Sequence, residues 1–433
     1  MRTNDRTFSL IIYNPNNTSR FTYTCEVLFK HILQTDYVLT QVLPQGDDYF
    51  ISYTEQPTNG AIWVKPSNLL EETTINDTVP KVLKADNRHF LFPNETPLGF
   101  DVFSAVFWMV SRYEEYQQTP FDIHGRYSVY NSLAYKEGFL SYPVVHFWAR
   151  IFAEHIQQTF LHFSFRLPPF KQIITIDVDH AFAFKGKPFS RQTAAVFRDL
   201  FAFKWSWLVK RVQCVFGKLD PFYTYDYIHQ TASQSAAEEI YFLLAGNYAK
   251  YDKNVPDKAD CMKQLGQELS AFAPVGVHPS YASHLNAGKV VLEINRVEKL
   301  TEKPVTISRQ HFLRFSFPQT PLTLVEAGIK QDFSLGYSEE SGFRAGMAIP
   351  FPFYNLAAEQ QTELLLTPFA YMDGTLNEHK KLSTQKAMEQ ITLLKNEVRE
   401  FGGNFIAIWH NHSLSETHHW QGWRKVFEHS LKA

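Results

Sequence analysis

Two carboxylates and an imidazole stand at the end of an apolar stretch in this sequence. Residues 174–180 read ITIDVDH, so β-branched residues run directly into Asp177, Asp179 and His180. The alternation predicts a buried strand, and residues two apart on a strand leave the same face. Buried carboxylates are costly unless a cation or a metal compensates them. Asp177 and Asp179 therefore predict a cationic partner, although backbone amides could also satisfy such a pair.

Histidines take the same position after other predicted strands. His278 ends the segment 275–278, His311 follows 305–308, and His410 and His412 follow 404–409. The carboxyl ends of parallel strands meet at one edge of a sheet or one mouth of a barrel, so these side chains are expected to converge. One carboxylate with two imidazoles is a normal ligand set for catalytic zinc, and a second carboxylate would then accept a proton from water. Singly, each histidine could equally be structural or belong to a surface loop.

Other side chains suggest supporting roles around such a centre. An imidazole titrates near neutral pH, so either His410 or His412 is a natural general acid, with the other in support. Arg344 could orient a catalytic aspartate through a bidentate pair, or form a salt bridge at the rim. In the first half of the chain, Arg112 and Glu115 at i, i+3 are most simply a surface pair. Residues 122–126 are most simply a structural turn, although Asp122, His124 and Arg126 could reach the neighbouring domain or the substrate.

Strands and helices alternate in the second half of the chain, and this pattern would position the candidate residues. Repeated strand–helix units predict parallel strands with right-handed crossovers. We predict an α/β fold, with an incomplete or distorted (β/α)7 barrel at 169–433 and a smaller α+β domain of unknown role at 1–168. The clearest helix follows the N-cap candidate Ser383 and stops at Gly402-Gly403. The strands of the second half are expected at 173–177, 240–244, 275–278, 305–308, 329–333 and 404–409.

Composition narrows the functional classes. The chain has 433 residues, which favours two or more cores, and its net charge of −2 gives no basis for nucleic-acid binding through a basic surface. Three widely spaced cysteines predict neither a disulfide framework nor a cysteine zinc site, and they fit a cytoplasmic location. No run of apolar residues is long enough to span a bilayer. Aromatic residues make up 15%, which suits thick cores and also clefts that stack on sugars.

An aromatic segment interrupts the alternation at about 190–220. Residues 194–218 carry apolar and aromatic side chains with Arg198, Lys204, Lys210 and Arg211 between them. Such a helix could lie on a membrane surface. The simpler interpretation is an inserted helical arm that packs on its own domain.

Three of these segments resemble the motifs of polysaccharide deacetylases, carbohydrate esterase family 4. Residues 175–179 are similar to the first motif, which implies that Asp177 is the catalytic base and Asp179 a metal ligand. The segment that begins at Arg344 and continues to the PFPF sequence at 350–353 resembles the third motif, and Trp409-His410 resembles the last, whose histidine is the catalytic acid. The motifs follow the family order over about residues 170–430. The whole chain looks like a divergent bacterial subgroup with its own N-terminal domain.

The second motif of the family is incomplete here. The family places two metal histidines in a His-x-x-x-His pattern, whereas position 282, four residues after His278, is alanine. His311 is the expected replacement and His180 an alternative; the metal could also be bound differently or lost.

The resemblance implies a hydrolase, dependent on a divalent metal such as Zn²⁺, that removes an N-acetyl group from an amino sugar or glycan. Asp177 would act as base, His410 as acid and Arg344 as the group that positions Asp177, while Asp179, His278 and His311 would hold the metal. Tyr281, Phe351 and Trp409 are candidates for stacking on a sugar. Two alternatives stay open: a glycosyltransferase that uses Asp177-Val178-Asp179 as a D-x-D metal site, and an inactive glycan-binding or scaffold protein.

Overall fold

The computed structural model describes residues 10–45, 49–117 and 120–432. The first part of the chain contains a parallel sheet with the strand order β2-β1-β3-β4, beside an antiparallel hairpin of β5 and β6. Its strands are β1 Leu10–Tyr13, β2 Tyr37–Thr40, β3 Phe50–Tyr53, β4 Ala61–Val64, β5 Val82–Ala85 and β6 Arg88–Leu91.

The helices of this part are α1 Ser19–Cys25, α2 Val102–Val110, α3 Leu133–Glu137 and α4 Val144–Thr159, and α1 continues as a π-helical turn at Glu26–Ile32. The carboxylate of Asp101 caps α2 by accepting a hydrogen bond from the Ser104 amide at 3.1 Å. Helix α2 ends at Val110, and Arg112 just after it takes a left-handed conformation with φ 56°. That turn directs the Arg112 side chain into the interior.

Nine strands of the second part form one curled sheet. The strands are β7 Lys171–Val178, β8 Glu238–Leu243, β9 Val275–Val277, β10 Ile307–Ser308, β11 Gln331–Leu335, β12 Phe351–Asn355, β13 Gln360–Pro368, β14 Tyr371–Met372 and β15 Asn404–His410. Their order is β12-β13-β11-β10-β9-β8-β7-β15-β14, and every neighbouring pair is parallel except β12 with β13.

The chain itself joins the two sides of this sheet and makes it barrel-like. Between β13 and β14, the Phe369 amide donates to Leu335 O at 3.2 Å and the Ala370 amide donates to Ile406 O at 2.8 Å. Residues 360–372 therefore run first beside β11 and then beside β15. A small apolar cluster from several strands fills the curl, and its members are Ile173, Phe242, Leu313, Phe333, Phe369, Ile406 and Ile408. The carboxyl ends of the parallel strands gather above this cluster.

The helices of the second part are α5 Phe189–Phe201, α6 Trp205–Val215, α7 Tyr225–Gln234, α8 Asp260–Phe272, α9 Ala287–Thr301, α10 Gln319–Glu326, α11 Thr384–Phe401 and α12 Arg424–Leu431. Helices α7 to α11 pack against the strands of the sheet. The expected N-cap of α11 is confirmed, since the Ser383 side chain accepts from the Lys386 amide. The helix ends at Gly402, whose φ of 77° favours glycine. Within the described ranges no helix has the length and apolarity needed to cross a bilayer.

The strands predicted for the second half are all present, with ends shifted by up to two residues. β12, β13 and β14 were not predicted. β12 contains Pro352, which weakens a strand signal but is tolerated because β12 lies at one end of the sheet order. The proposed division at 168/169 stays a prediction. A continuous cluster of buried apolar residues extends from Leu10 to Leu431 and so includes both halves.

The pair Arg112–Glu115, expected at the surface, is instead buried and links the two halves. Arg112 Nε donates to Glu115 Oε1 at 2.7 Å, and Arg344 Nε donates to the same oxygen at 2.8 Å. Arg112 also donates to Glu114 at 2.6 Å and to the backbone oxygen of Arg344. The buried guanidinium groups of Arg112 and Arg344 thus share the buried carboxylate of Glu115. These opposite charges compensate the cost of removing each group from water.

Candidate active site

The polar residues that follow the strands line one cavity of about 370 Å³ at the carboxyl end of the curled sheet. β7 delivers Asp177 and Asp179, β9 is followed by His278, β10 by His311, and β15 ends with His410. The convergence arises because these strands are parallel neighbours, so their carboxyl ends lie side by side. Positions separated by more than 200 residues in sequence therefore meet around one space.

Asp179, His278 and His311 form a compact triangle of donor atoms. Asp179 Oδ1 lies 3.1 Å from His278 Nε2 and 3.3 Å from His311 Nδ1, and the two nitrogens are 3.1 Å apart. Bonds of ~2.1 Å in a tetrahedral zinc site separate neighbouring ligand atoms by roughly 3.4 Å. The triangle matches one face of such a tetrahedron, with the fourth corner open to the cavity.

Backbone carbonyls orient both imidazoles with a lone pair toward this triangle. His278 Nδ1 lies 2.6 Å from Arg309 O, and His311 Nε2 lies 3.2 Å from Tyr251 O. An imidazole that donates to a carbonyl through one nitrogen presents the other nitrogen as an acceptor, as metal-binding histidines do. Asp179 Oδ1 is buried and has no hydrogen-bond partner. Three electron-rich atoms at this spacing fit a divalent cation, and two nitrogens with one oxygen suit Zn²⁺.

Electrostatics in the cluster agree with a site for positive charge. Burial opposes ionisation of Asp179, but His311, His278 and His410 outweigh it and hold the pKa of this carboxyl well below its usual range. Burial disfavours a charged His311, yet the neighbouring Asp179 carboxylate raises the pKa of that imidazole above its ordinary value. The triangle therefore attracts a proton when it holds no metal.

Arg309 holds the second carboxylate of the strand end. Its Nη1 donates to Asp177 Oδ1 at 3.0 Å and to Thr175 Oγ1 at 2.6 Å, and its Nε donates to Phe333 O at 3.0 Å. The guanidinium is fully buried inside the sheet. Asp177 Oδ2 stays free of this pair and lies 4.0 Å from His278 Nε2. One oxygen of Asp177 is thus fixed while the other faces the donor triangle.

His410 faces the same space from the opposite side and has its own carboxylate partner. Its Nδ1 lies 2.8 Å from Asp373 Oδ1, its backbone amide donates to Asp373 Oδ2 at 2.8 Å, and its Nε2 lies 3.6 Å from Asp179 Oδ2. Burial opposes a charged imidazole, but Asp373 together with Asp179 and Asp177 raises the pKa of His410 to about 10. His410 is therefore protonated at neutral pH and can donate a proton.

The expected contact between Arg344 and Asp177 is wrong. Arg344 donates to Glu115 through Nε and Nη2 and to Gly336 O at 3.1 Å, so it belongs to the buried network between the halves. Arg309 takes the place beside Asp177. The sequence offered a signal for this, because Arg309 directly follows β10 and precedes His311 by two positions.

The three residues expected to stack on a sugar do not line the cavity. Trp409 and Phe351 are fully buried, and Trp409 packs against Phe427 with ring centroids 5.2 Å apart. Both lie in strands with their rings in the core. Tyr281 stacks behind Tyr251 at 4.3 Å, so Tyr251 stands between it and the cavity. The aromatic side chains that line the cavity are Tyr251, Phe312 and Trp420.

His180 and His412 both line the cavity but stand apart from the donor triangle. Their rings are 5.7 Å apart, and the His412 ring lies 5.3 Å from that of His410. Burial, followed by repulsion from His410 and His180, lowers the pKa of His412 to about 3, so it is neutral. Of the two histidines considered as general acid, His410 is therefore the charged one.

The first half of the chain also contributes to the cavity wall. Asp122 accepts from Arg126 Nε at 2.7 Å and from the His124 and Arg126 amides, so residues 122–126 form the expected turn. Arg126 Nη1 donates to Phe312 O at 3.0 Å, and Arg126 lines the cavity. The turn thus contacts the loop that carries His311, which agrees with the alternative that these residues reach the neighbouring domain.

Comparison with known proteins gives partial likenesses. Residues 10–161 match the model of a family of unknown function, DUF7033. No curated protein matches the chain. A Mycobacterium smegmatis protein assigned as a polysaccharide deacetylase is similar at 13% identity and a TM-score of 0.38, over 61% of this chain and 82% of that protein. A polysaccharide deacetylase from Bacillus cereus is similar at 13% identity and a TM-score of 0.29, over 60% of this chain and 85% of that enzyme. These likenesses are weak and carry no conclusion about activity.

Proposed function

We propose that the protein is a metal-dependent hydrolase that removes an N-acetyl group from an amino sugar or a glycan. One observation carries the proposal: a donor triangle, a carboxylate fixed by an arginine and a protonated histidine fixed by an aspartate surround one cavity. Amide hydrolysis needs these three functions, because the carbonyl must be polarised, water must lose a proton and the amine must gain one.

The residues divide this work as follows. A divalent cation held by Asp179, His278 and His311 would polarise the amide carbonyl and lower the pKa of water to ~7. Asp177 accepts the proton of the attacking water through Oδ2, since Oδ1 is held by Arg309. His410 gives its Nε2 proton to the departing nitrogen, because an amine does not leave as an anion. Asp373 keeps His410 oriented for this transfer.

Unpaired polar atoms around the cavity suit the hydroxyl and amide groups of a sugar. Gln310 Nε2, Ser338 Oγ and His412 Nδ1 are buried, lack hydrogen-bond partners among the residues that the structure describes, and belong to residues that line the cavity. Tyr251, Phe312 and Trp420 supply apolar ring surface beside them. Such a mixture of aromatic faces and directed polar groups is typical of a small-molecule site.

The glycosyltransferase alternative fits the donor set less well. Sites that hold Mn²⁺ or Mg²⁺ with a diphosphate use mainly oxygen ligands, whereas two of the three donors here are imidazole nitrogens. One carboxylate of the D-x-D sequence, Asp177, is also held by Arg309.

The test combines metal analysis with release of acetate from N-acetylglucosamine oligomers. We expect about one Zn²⁺ per chain and, for Asp179→Asn, loss of both the metal and the activity. Asp260→Asn, at an exposed position of α8, is the matched control and should keep both. Full metal content and activity in Asp179→Asn would contradict the assignment. Bound metal in the unaltered protein without acetate release would favour the scaffold alternative.

A further inference from the structure

The helical pair α5–α6 exposes an unusual amount of apolar surface. Of the exposed phenylalanine and tryptophan side chains in the described ranges, all but Phe121 belong to residues 189–216. They are Phe189, Phe197, Phe201, Phe203, Trp205 and Phe216, and Phe201 and Phe216 are 82% and 84% exposed. Isolated exposed apolar residues are ordinary, but a contiguous patch marks an interaction surface.

The two helices expose apolar side chains and bury charged ones, which is the reverse of helices that pack on a core. Trp205, Val209, Val212 and Phe216 recur at i, i+4, i+7 and i+11 and form an outward stripe on α6. The buried side chains of the pair are instead charged: Asp199 accepts from Arg211 at 3.1 Å and from Arg198 at 3.2 Å. An amphipathic helix normally buries its apolar stripe. The outward stripe therefore requires a cover.

The inner face of the α5–α6 pair contacts the sheet domain. The Trp207 ring lies 5.0 Å from Phe184 and 5.9 Å from Phe222, and the Arg211 guanidinium lies 4.5 Å from the centre of the Phe184 ring. These contacts fix the orientation of the pair and leave its outer stripe pointing away from the rest of the protein. The arm therefore packs on its own domain through this inner face, as the simpler interpretation expected, and its outer face stays exposed.

The charges around the outward stripe indicate which kind of surface it contacts. Residues 185–218 contain eight lysine or arginine residues and the single acidic residue Asp199, in a chain whose net charge is −2. Arg198 is 71% exposed, and Lys185, Lys204 and Lys218 are also exposed. Aromatic and apolar side chains flanked by cations are the composition of helices that lie in the interface of an anionic bilayer. A second copy of the chain would bring an equal set of cations against these.

The same surface adjoins the candidate active site. His180 lines the catalytic cavity and also two cavities beneath the helical pair, of about 270 and 520 Å³. The side chains that line those two cavities include Lys187, Arg191, Arg198, Lys204 and Arg211. His180 therefore borders both the candidate active site and the cation-lined cavities of the helical pair.

We propose that α5–α6 lies on the surface of an anionic lipid bilayer, with the outward stripe among the acyl chains and the cations at the headgroups. A second part rests on the proposed function: the amino sugar substrate is carried by a membrane lipid through a phosphate group, which the cations that line the two cavities next to His180 would bind.

Vesicle flotation with the full chain tests the first part. We expect the protein to float with vesicles of phosphatidylcholine mixed with phosphatidylglycerol, and about tenfold less with phosphatidylcholine alone, because the polybasic attraction is lost. The variant Phe201→Ser/Trp205→Ser/Phe216→Ser should lose flotation. Tyr130→Ser/Leu161→Ser, at exposed positions elsewhere, should keep it. Circular dichroism shows whether each variant is folded.

Charge reversal gives an independent reading. Lys204→Glu/Lys210→Glu/Lys218→Glu should reduce binding to the anionic vesicles at least tenfold, whereas Lys81→Glu/Lys299→Glu/Lys386→Glu, at exposed positions elsewhere in the chain, should not. If the protein floats with neither kind of vesicle, the proposal is overturned. A dimer detected by light scattering that dissociates in the serine variant would also overturn the proposal, because a second copy of the chain would then cover the stripe.

The substrate part is tested separately. Asp179→Asn should float like the unaltered protein, since lipid binding does not need the metal. If acetate is released from soluble oligomers but no faster from an N-acetylglucosaminyl phospholipid in vesicles, the substrate part fails while the proposed function stands. If neither is hydrolysed, the proposed function fails, and flotation alone decides the membrane contact.

Discussion

Asp177 and His410 in the candidate site each have one charged partner. Asp177 is paired with Arg309 and His410 with Asp373, while His278 and His311 lie at hydrogen-bond distance from backbone carbonyls. Such partners fix orientation and protonation before a substrate arrives, and a displacement of about 1 Å can cost about 10²-fold in rate. The partners should therefore influence the rate without touching the substrate.

The two buried arginines can be distinguished by substitution. Arg309→Lys keeps the charge but loses the simultaneous bonds to Asp177, Thr175 and Phe333 O, so kcat should fall by about 10²-fold with the metal content unchanged. Arg344→Lys should leave kcat near the wild-type value and lower the free energy of unfolding by roughly 1–3 kcal/mol. Steady-state kinetics, metal analysis and urea unfolding measure these quantities. A large loss of kcat in Arg344→Lys, with kcat unchanged in Arg309→Lys, would show that Arg344 and not Arg309 acts at the site.

Asp373 is expected to set the basic limb of the pH–rate profile. Its anion favours the protonated imidazole, so Asp373→Asn should lower the pKa of His410 from about 10 toward its ordinary value. A reaction that needs protonated His410 would then lose activity at lower pH on the basic side. The displacement should exceed about one pH unit, since a close buried carboxylate shifts a pKa by ~1–3 units. An unchanged basic limb would exclude His410 as the acid.

Much of the site could be predicted from residue type and spacing, but its partners could not. Asp177, Asp179, His278, His311 and His410 all line one cavity. A strand that ends in a charged residue can be recognised from the sequence alone. Which arginine reaches Asp177 depends on how neighbouring strands are staggered, and Asp373 follows a strand of two residues that has no readable pattern.

At the scale of elements, α4 joins the first half to the sheet domain through a histidine. His146 is fully buried, and its Nε2 accepts from the Ala348 amide at 3.1 Å. Burial lowers the pKa of this imidazole from 6.5 to about 4, so the folded protein holds it neutral. The joint therefore depends on an uncharged ring.

Acid should weaken this joint. Between pH 6.5 and about 4 the unfolded chain binds a proton at His146 that the folded chain does not, so the free energy of unfolding falls as the pH falls. The full contribution is roughly 3 kcal/mol. His146→Gln should lose this part of the pH dependence, and His162→Gln, at an exposed position, should retain it. Urea unfolding at several pH values measures the slopes, and equal slopes in all three proteins would contradict the account.

Element types were easier to predict than their roles. α11 carries a capping serine, an apolar stripe and terminal glycines, and each signal appears in the structure. Periodicity also gives α5 and α6 as amphipathic helices, but it does not say which way an amphipathic helix faces. Here the buried Asp199–Arg211 pair turns the apolar stripes outward, a choice made by tertiary contacts.

At the scale of the whole molecule, the two halves share their interior. The buried apolar cluster includes residues of both, and Arg20 donates to Glu359 at 2.9 Å while Tyr23 donates to Pro352 O at 2.7 Å. Length favours two cores, but the sequence cannot show that apolar faces of separate segments pack on each other.

The full chain should therefore unfold in one cooperative step. Scanning calorimetry is expected to give a single transition whose calorimetric and van't Hoff enthalpies agree. Residues 169–433 expressed alone should be insoluble or lack a cooperative transition, because removal of the first half exposes the apolar surface around Tyr354, whose ring lies 4.8 Å from Tyr23 and 5.3 Å from Phe107. Two separated transitions in the full chain, or a stable fragment, would show that the halves are independent.

The turn at residues 122–126 has a consequence for the ancestry of this chain. Arg126 comes from the first half, yet it forms part of the wall around the cavity of the candidate active site. A recombination event near residue 168 that transferred the second half to another protein would deliver the chemistry with one wall missing. Selection on substrate choice would then act on both halves at once, so the two are expected to be inherited together rather than exchanged as modules.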